Sequence, residues 1–191
     1  KDFIHFVSKV DKIVKKYGKK MIGWDEIVHA DVDTSAIAQF WANEENAKLA
    51  VEKGLKVILS PGKKAYLDMQ YDTLSKYGLH WAGYIPVDTG YVWTPERYVK
   101  GINKENILGI EAPLWSETVS NMDEVEYLVF PRMIGYSELS WSTEENRSWD
   151  NYKVRLGNQA PYLDKMNVKY YPSELIEWKK SKYTYKTIDK D

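Results

Sequence analysis

Short apolar runs with strand character alternate with stretches of helical period along most of this chain, and that alternation restricts the fold more than any other feature. Phe3, Phe6, Val7, Val10, Ile13, Val14 and Tyr17 recur at three- and four-residue steps, which predicts an amphipathic helix closed at Gly18. Lys20–Trp24 and Thr34–Trp41 read as strands. Asn43 then caps a second helix with Glu44 and Glu45 in its first turn, and Gly54 ends it before a third strand, Lys56–Ser60. Ile107–Ala112 is a fourth strand. A helix is expected from about Asp123 to Leu139, with Pro131 inside it, and a last one from about Asn151 to Lys165.

Repeated strand–helix alternation implies an α/β fold with a parallel sheet covered by helices, in which binding residues gather beyond the carboxyl ends of the strands. Four such units are half of a (β/α)8 TIM barrel. The chain opens on a helix with no strand before it, and this predicts the last four βα units of a larger catalytic domain spanning residues 1–171. After Pro172 the sequence turns Lys- and Tyr-rich without strong periodicity, so residues 172–191 are expected to form an exposed tail or linker.

Aromatic and acidic residues occur together where the strand-like runs end. Examples are Gly23-Trp24-Asp25-Glu26, Gln39-Phe40-Trp41, Tyr66-Leu67-Asp68, His80-Trp81 and Leu114-Trp115-Ser116-Glu117. A pyranose presents apolar C–H faces and a rim of hydroxyls, so its site needs flat aromatic walls beside acceptors. Composition narrows the alternatives. With 27 Lys+Arg against 28 Asp+Glu there is no field to draw in nucleic acid or an anionic membrane. No apolar run approaches a membrane span. The absence of cysteine excludes thiolate metal sites and disulfides but leaves the compartment open. His5, His29 and His80 lack metal-ligand spacing, and neither a metal nor a cofactor is expected.

Five motifs in fixed order carry a resemblance to a known family: Gly23-Trp24-Asp25-Glu26-Ile27, Gln39-Phe40-Trp41, Lys64-Ala65-Tyr66-Leu67-Asp68-Met69, His80-Trp81-Ala82-Gly83-Tyr84 and Gly109-Ile110-Glu111-Ala112-Pro113-Leu114-Trp115-Ser116-Glu117. Together they resemble glycoside hydrolase family twenty, the β-N-acetylhexosaminidases. Phe130-Pro131-Arg132 and Tyr152-Lys153-Val154-Arg155-Leu156 look like the family's last barrel segment. The resemblance implies hydrolysis of terminal N-acetylglucosamine or N-acetylgalactosamine from a glycan or glycoconjugate, with the substrate's acetamido oxygen as nucleophile, an exception to the two-carboxylate scheme.

In that family an Asp-Glu pair within His-x-Gly-Gly-Asp-Glu performs the proton chemistry. No such motif occurs here. It would lie on the strand before Lys1, so the fragment is expected to be inactive alone. Asp25-Glu26 sits in a different context, and a loop-supporting role is expected for it. Tyr66 matches the tyrosine that donates to the acetamido oxygen. Trp24, Trp41 and Trp115 match the tryptophans around the acetamido methyl and the ring, and Trp81 a pocket-edge aromatic. Asp68 and Glu117 match the acceptors for the hydroxyls at carbons four and six. Asp88 with Trp93, and Glu138 with Trp141, have no matching family role and are read as core or rim packing.

The resemblance alone favours a secreted or cell-surface setting. A competing class is a non-catalytic carbohydrate-binding module, although tryptophans spread over four strand ends suit a closed pocket better than the flat platform of such modules. Four strands taken from a closed barrel would expose two sheet edges, so a homodimer, or the N-terminal half-barrel as partner, is expected.

Overall fold

Ile22–Trp24 (β1), Ile37–Phe40 (β2), Lys56–Leu59 (β3) and Ile107–Ile110 (β4) form one parallel sheet in the order β1-β2-β3-β4. The computed structural model describes residues 1–180. In register, Trp24 lies opposite Gln39, Phe40 opposite Leu59, and Leu59 opposite Ile110, with an irregularity at Val57/Ile58 on the β4 side. The strands are shorter than their apolar runs, because pairing stops where the chain turns away at Asp25, Trp41 and Ser60. Ala38, Phe40, Val57 and Leu59 are buried and share one face of the sheet, since Ala38 lies opposite Val57 and Phe40 opposite Leu59.

The chain divides into two compact units. The first comprises Lys1–Tyr66 and Trp93–Pro113 and contains the whole sheet; the second comprises Leu67–Val92 and the described residues from Leu114 onward.

In the first unit, the helix Asp2–Lys16 ends as expected. Gly18 has φ +65°, its N–H reaches Lys15 O, and Lys19 N–H reaches Val14 O, which together satisfy two terminal carbonyls. Its orientation differs from the amphipathic expectation. Val7 is buried, but Phe3, Phe6, Ile13 and Tyr17 are exposed. Polar contacts from Ser8, Asp11 and Lys15 attach the helix instead: Ser8 Oγ accepts from Asp31 N at 3.1 Å, Asp11 Oδ2 accepts from Asp33 N at 3.0 Å, and Lys15 pairs with Asp33. The second helix, Glu44–Glu52, starts where the sequence places it, with Asn43 Oδ1 accepting from Glu45 N at 3.0 Å and Asn46 N at 3.4 Å.

The second unit is helical. The single helix expected from Asp123 to Leu139 is two, Met122–Val129 and Arg132–Trp141. Proline disfavours the helical region for the residue before it, and Phe130 sits at φ −100°, ψ 136° ahead of a cis bond to Pro131. The last predicted helix is likewise divided into Trp149–Gly157 and Ala160–Lys165, because Pro161 has no N–H to offer the Gly157 carbonyl. That carbonyl accepts from Lys179 N at 3.1 Å instead.

The residues after Pro172 therefore differ from an exposed tail as far as they are described. Ser173 and Ile176 are buried, and Trp178 donates to Ser173 O at 3.0 Å. The backbone at Glu177 passes so close to Gly157 that a Cβ there would meet Glu177 O at 2.3 Å. The remaining part of the expected tail, residues 181–191, lies outside the described residues. Tyrosines fill the core of this unit: Tyr71 stacks on Tyr171 at 4.3 Å, and Tyr91 on Tyr152 at 4.1 Å.

Candidate active site

In the first unit, three of the expected sugar-contacting residues stand at the carboxyl ends of successive parallel strands. Trp24 is the last residue of β1, Trp41 follows β2, and Tyr66 follows β3 after the single helical turn Gly62–Ala65. The edge of one ring meets the face of the other between Trp24 and Tyr66, with centroids 6.4 Å apart and planes at 71°. Tyr66 is buried, whereas Trp24 and Trp41 are half-buried. Gly62 N–H donates to Trp41 O at 2.9 Å, so the turn that delivers Tyr66 is hydrogen-bonded to the residue that carries the second indole.

Asp25 and Glu26 supply the support. Asp25 is buried, and its carboxylate accepts three backbone N–H bonds, from Trp41 at 3.1 Å, Ala42 at 3.2 Å and Asn43 at 2.8 Å. Burial pushes its carboxyl above the usual range while these three donors pull it back. Glu26 accepts from the Trp41 indole N–H at 3.3 Å and so restrains the ring's rotation. Both carboxylates act on Trp41, one through its backbone and one through its ring. A further support was not legible in the sequence: Gln39 donates to Glu111 Oε1 at 2.8 Å, and Ser60 Oγ to Glu111 O at 3.0 Å, which joins the ends of β2, β3 and β4. Only the register of the sheet brings residues 72 positions apart into this contact.

In the second unit, Asp68 is 1 % exposed. Trp115 N approaches Asp68 Oδ1 at 3.5 Å, and among the described residues nothing donates to the buried Oδ2. Burial raises the Asp68 carboxyl. The Trp115 N–H and the Arg132 charge oppose that rise, and the Glu117 charge adds to it. Asp68, Trp115 and Glu117 are thus brought together, the last two on an exposed segment. Trp81 is 58 % exposed on the same loop as Leu79, whose N–H donates to Asp68 O at 2.8 Å.

The two pairs with no expected ligand role behave differently from each other. Trp93 is buried against Tyr98 at 5.1 Å. Glu138 accepts from Tyr91 OH at 2.7 Å and pairs with Arg155 at 2.6 Å, which holds its carboxyl below the usual range, while burial and the Glu138 contact push Tyr91 up to about 12. Trp141 is 91 % exposed. Among the described residues no helix is long and apolar enough to cross a membrane.

The model of the family described as glycosyl hydrolase family 20, catalytic domain, matches residues 2–144. The chain belongs to glycosyl hydrolase family 20. A β-N-acetylhexosaminidase of Cellulomonas fimi is 32% identical over 179 residues, covering 92% of this chain and 36% of the relative. The family 20 β-N-acetylhexosaminidase of Streptomyces coelicolor A3(2) superposes with a TM-score of 0.88 at 39% identity, over 93% of this chain and 37% of that one. A mutant β-hexosaminidase of Streptomyces plicatus, solved in complex with its product GlcNAc, gives 0.89 with the same identity and coverage. The chain therefore spans little more than a third of the length of these relatives. Their family is one of TIM barrels, and the parallel four-stranded sheet of the first unit is consistent with part of such a barrel.

Proposed function

We propose that this chain is part of a β-N-acetylhexosaminidase that removes terminal N-acetylhexosamine residues from glycans by substrate-assisted, retaining hydrolysis. The observation that carries the reading is the placement of Trp24, Trp41 and Tyr66 at consecutive strand ends in a chain of family 20. In this reading, Tyr66 donates to the acetamido oxygen and holds it for attack on the anomeric carbon. Trp24, Trp41 and Trp115 enclose the acetamido methyl and the sugar ring, with Trp81 at the edge. Asp68 and Glu117 accept from the hydroxyls at carbons four and six. The unpartnered Oδ2 of Asp68 supports its part, since a buried carboxylate oxygen is costly until it meets a donor.

Glu117→Gln in the intact enzyme tests the reading. Removing the charge from a hydrogen bond of about 1.5–3 kcal/mol is expected to raise KM for an aryl N-acetyl-β-glucosaminide by about tenfold or more and to blunt discrimination at the far hydroxyls. Unchanged affinity together with unchanged sugar preference would remove Glu117 from the site.

The same reading extends to assembly. β1 and β4 are the edges of the sheet, and Phe3, Phe6 and Ile13 are exposed on the first helix. Open edges and apolar faces favour association. The isolated chain is expected to pair with a second copy or with the other half of a barrel. Light scattering that finds a folded monomer at every concentration would count against this.

A further inference from the structure

Arg132 is 2 % exposed, and its guanidinium hydrogen-bonds to backbone carbonyls. Nη1 donates to Ile85 O at 3.1 Å, while Nη2 donates to Leu67 O at 2.7 Å and to Leu128 O at 2.9 Å. The guanidinium carbon lies 3.9 Å from the centroid of the Tyr71 ring, and Tyr71 OH donates to Leu128 O at 3.0 Å. A buried cation is expensive, and an apolar side chain of similar volume would fill the same space at lower cost. What the arginine adds is a planar fork of donors that can hold separate pieces of chain at once.

Two of those pieces are the ends of one loop. Leu67 immediately precedes Asp68, and Ile85 closes the segment in which Leu79 N–H donates to Asp68 O, Gln70 N–H to Leu79 O and Ile85 N–H to Gln70 O. The loop is tightly built, since a Cβ at Gly78 would meet Asp68 O at 2.6 Å. We infer that Arg132 is a positioning residue that clasps the base of the 68–85 loop and thereby fixes Asp68 as an acceptor for a sugar hydroxyl. This rests on the proposed role of Asp68. The Phe130-Pro131-Arg132 segment places the guanidinium at the first turn of its helix, from which it reaches both ends of the loop.

The test uses the intact enzyme and two substrates, an aryl N-acetyl-β-glucosaminide and its 4-deoxy analogue. With Arg132→Lys, which keeps the charge and loses the fork, kcat/KM for the hydroxylated sugar is expected to fall about tenfold. That is the factor one charge-assisted hydrogen bond is worth, and the 4-deoxy substrate, which lacks the bond, should change by less than about twofold. Asp68→Asn should lower the same ratio, and the double variant should fall no further than the larger single effect. Equal losses on both substrates, or additive losses, would overturn the inference. Hydrogen exchange provides a readout independent of the sugar: amides of 68–85 should exchange faster in Arg132→Lys while those of 132–141 stay protected. If Asp68→Asn leaves the ratio unchanged, the hydroxyl reading of Asp68 fails, and the clasp then stands or falls on that exchange difference. Arg132→Gln, neutral and with two donors, covers the case in which the lysine variant does not fold; unaltered exchange over 68–85 there would likewise overturn the clasp.

Discussion

The isolated chain is expected to hydrolyse an aryl N-acetyl-β-glucosaminide no faster than buffer, because walls that orient a sugar cannot supply the proton its leaving group needs. General acid catalysis contributes about 10²–10⁴-fold. The chain has two adjacent Asp-Glu pairs, Asp25-Glu26 and Asp123-Glu124, and three of these four carboxyls are occupied in other ways. Asp25 is committed to three backbone N–H groups and Glu26 to the Trp41 indole. Glu124 sits in the first turn of the Met122–Val129 helix, accepting from Ser120 N at 2.8 Å and Asn121 Nδ2 at 2.9 Å while its own N–H bonds Asn121 Oδ1 at 3.1 Å, which is a capping arrangement. Asp123 lies in the first turn of the same helix, and neither pair stands in a His-x-Gly-Gly-Asp-Glu context. Release of the aryl alcohol at a rate comparable to the intact enzyme would refute this account, and it would direct attention to Asp68, a buried carboxyl whose pKa is raised.

What was legible in the sequence follows from how local each signal is. Strand positions, the Asn43 cap and the Gly18 turn depend on a few neighbouring residues, and all three occur where the alternation places them. Helix interruptions were underestimated at Pro131 and Pro161. A helical period continues across a proline, and it cannot show whether the missing N–H is tolerated as a kink or ends the helix. The orientation of the first helix was not legible either, because hydrophobic spacing identifies an apolar face without naming what covers it. Its observed attachment depends on Asp31 and Asp33, more than fifteen residues from their partners. Motif order located the candidate residues, and family membership supports the context in which they were read. The Gln39–Glu111 bridge and the bonds from Arg132 to the Ile85 and Leu67 carbonyls are long-range consequences of sheet register and loop closure, for which no nearby residue pattern exists.

Tyr66→Phe in the intact enzyme is expected to lower kcat by about 10²–10³ while KM changes by much less. The magnitude is that of a lost donor in an oxyanion-type hole. The split between the two constants follows from when the bond matters in the proposed mechanism: as the acetamido oxygen bonds to the anomeric carbon, charge would develop across the oxazolinium, and a donor fixed in advance would stabilise that state more than the bound substrate. The structure favours a clean comparison. Tyr66 is buried with its ring packed edge-to-face on Trp24, and its position is set by the Pro61–Ala65 turn, whose Ala65 N–H donates to Pro61 O at 2.7 Å. Phenylalanine preserves the ring and that packing and removes only the hydroxyl, so the melting temperature is to be measured beside kcat. A fall in kcat with unchanged melting temperature would assign the loss to chemistry. If kcat is unchanged, Tyr66 is a packing residue beneath Trp24, and the donor to the acetamido group has to be sought elsewhere in the enzyme.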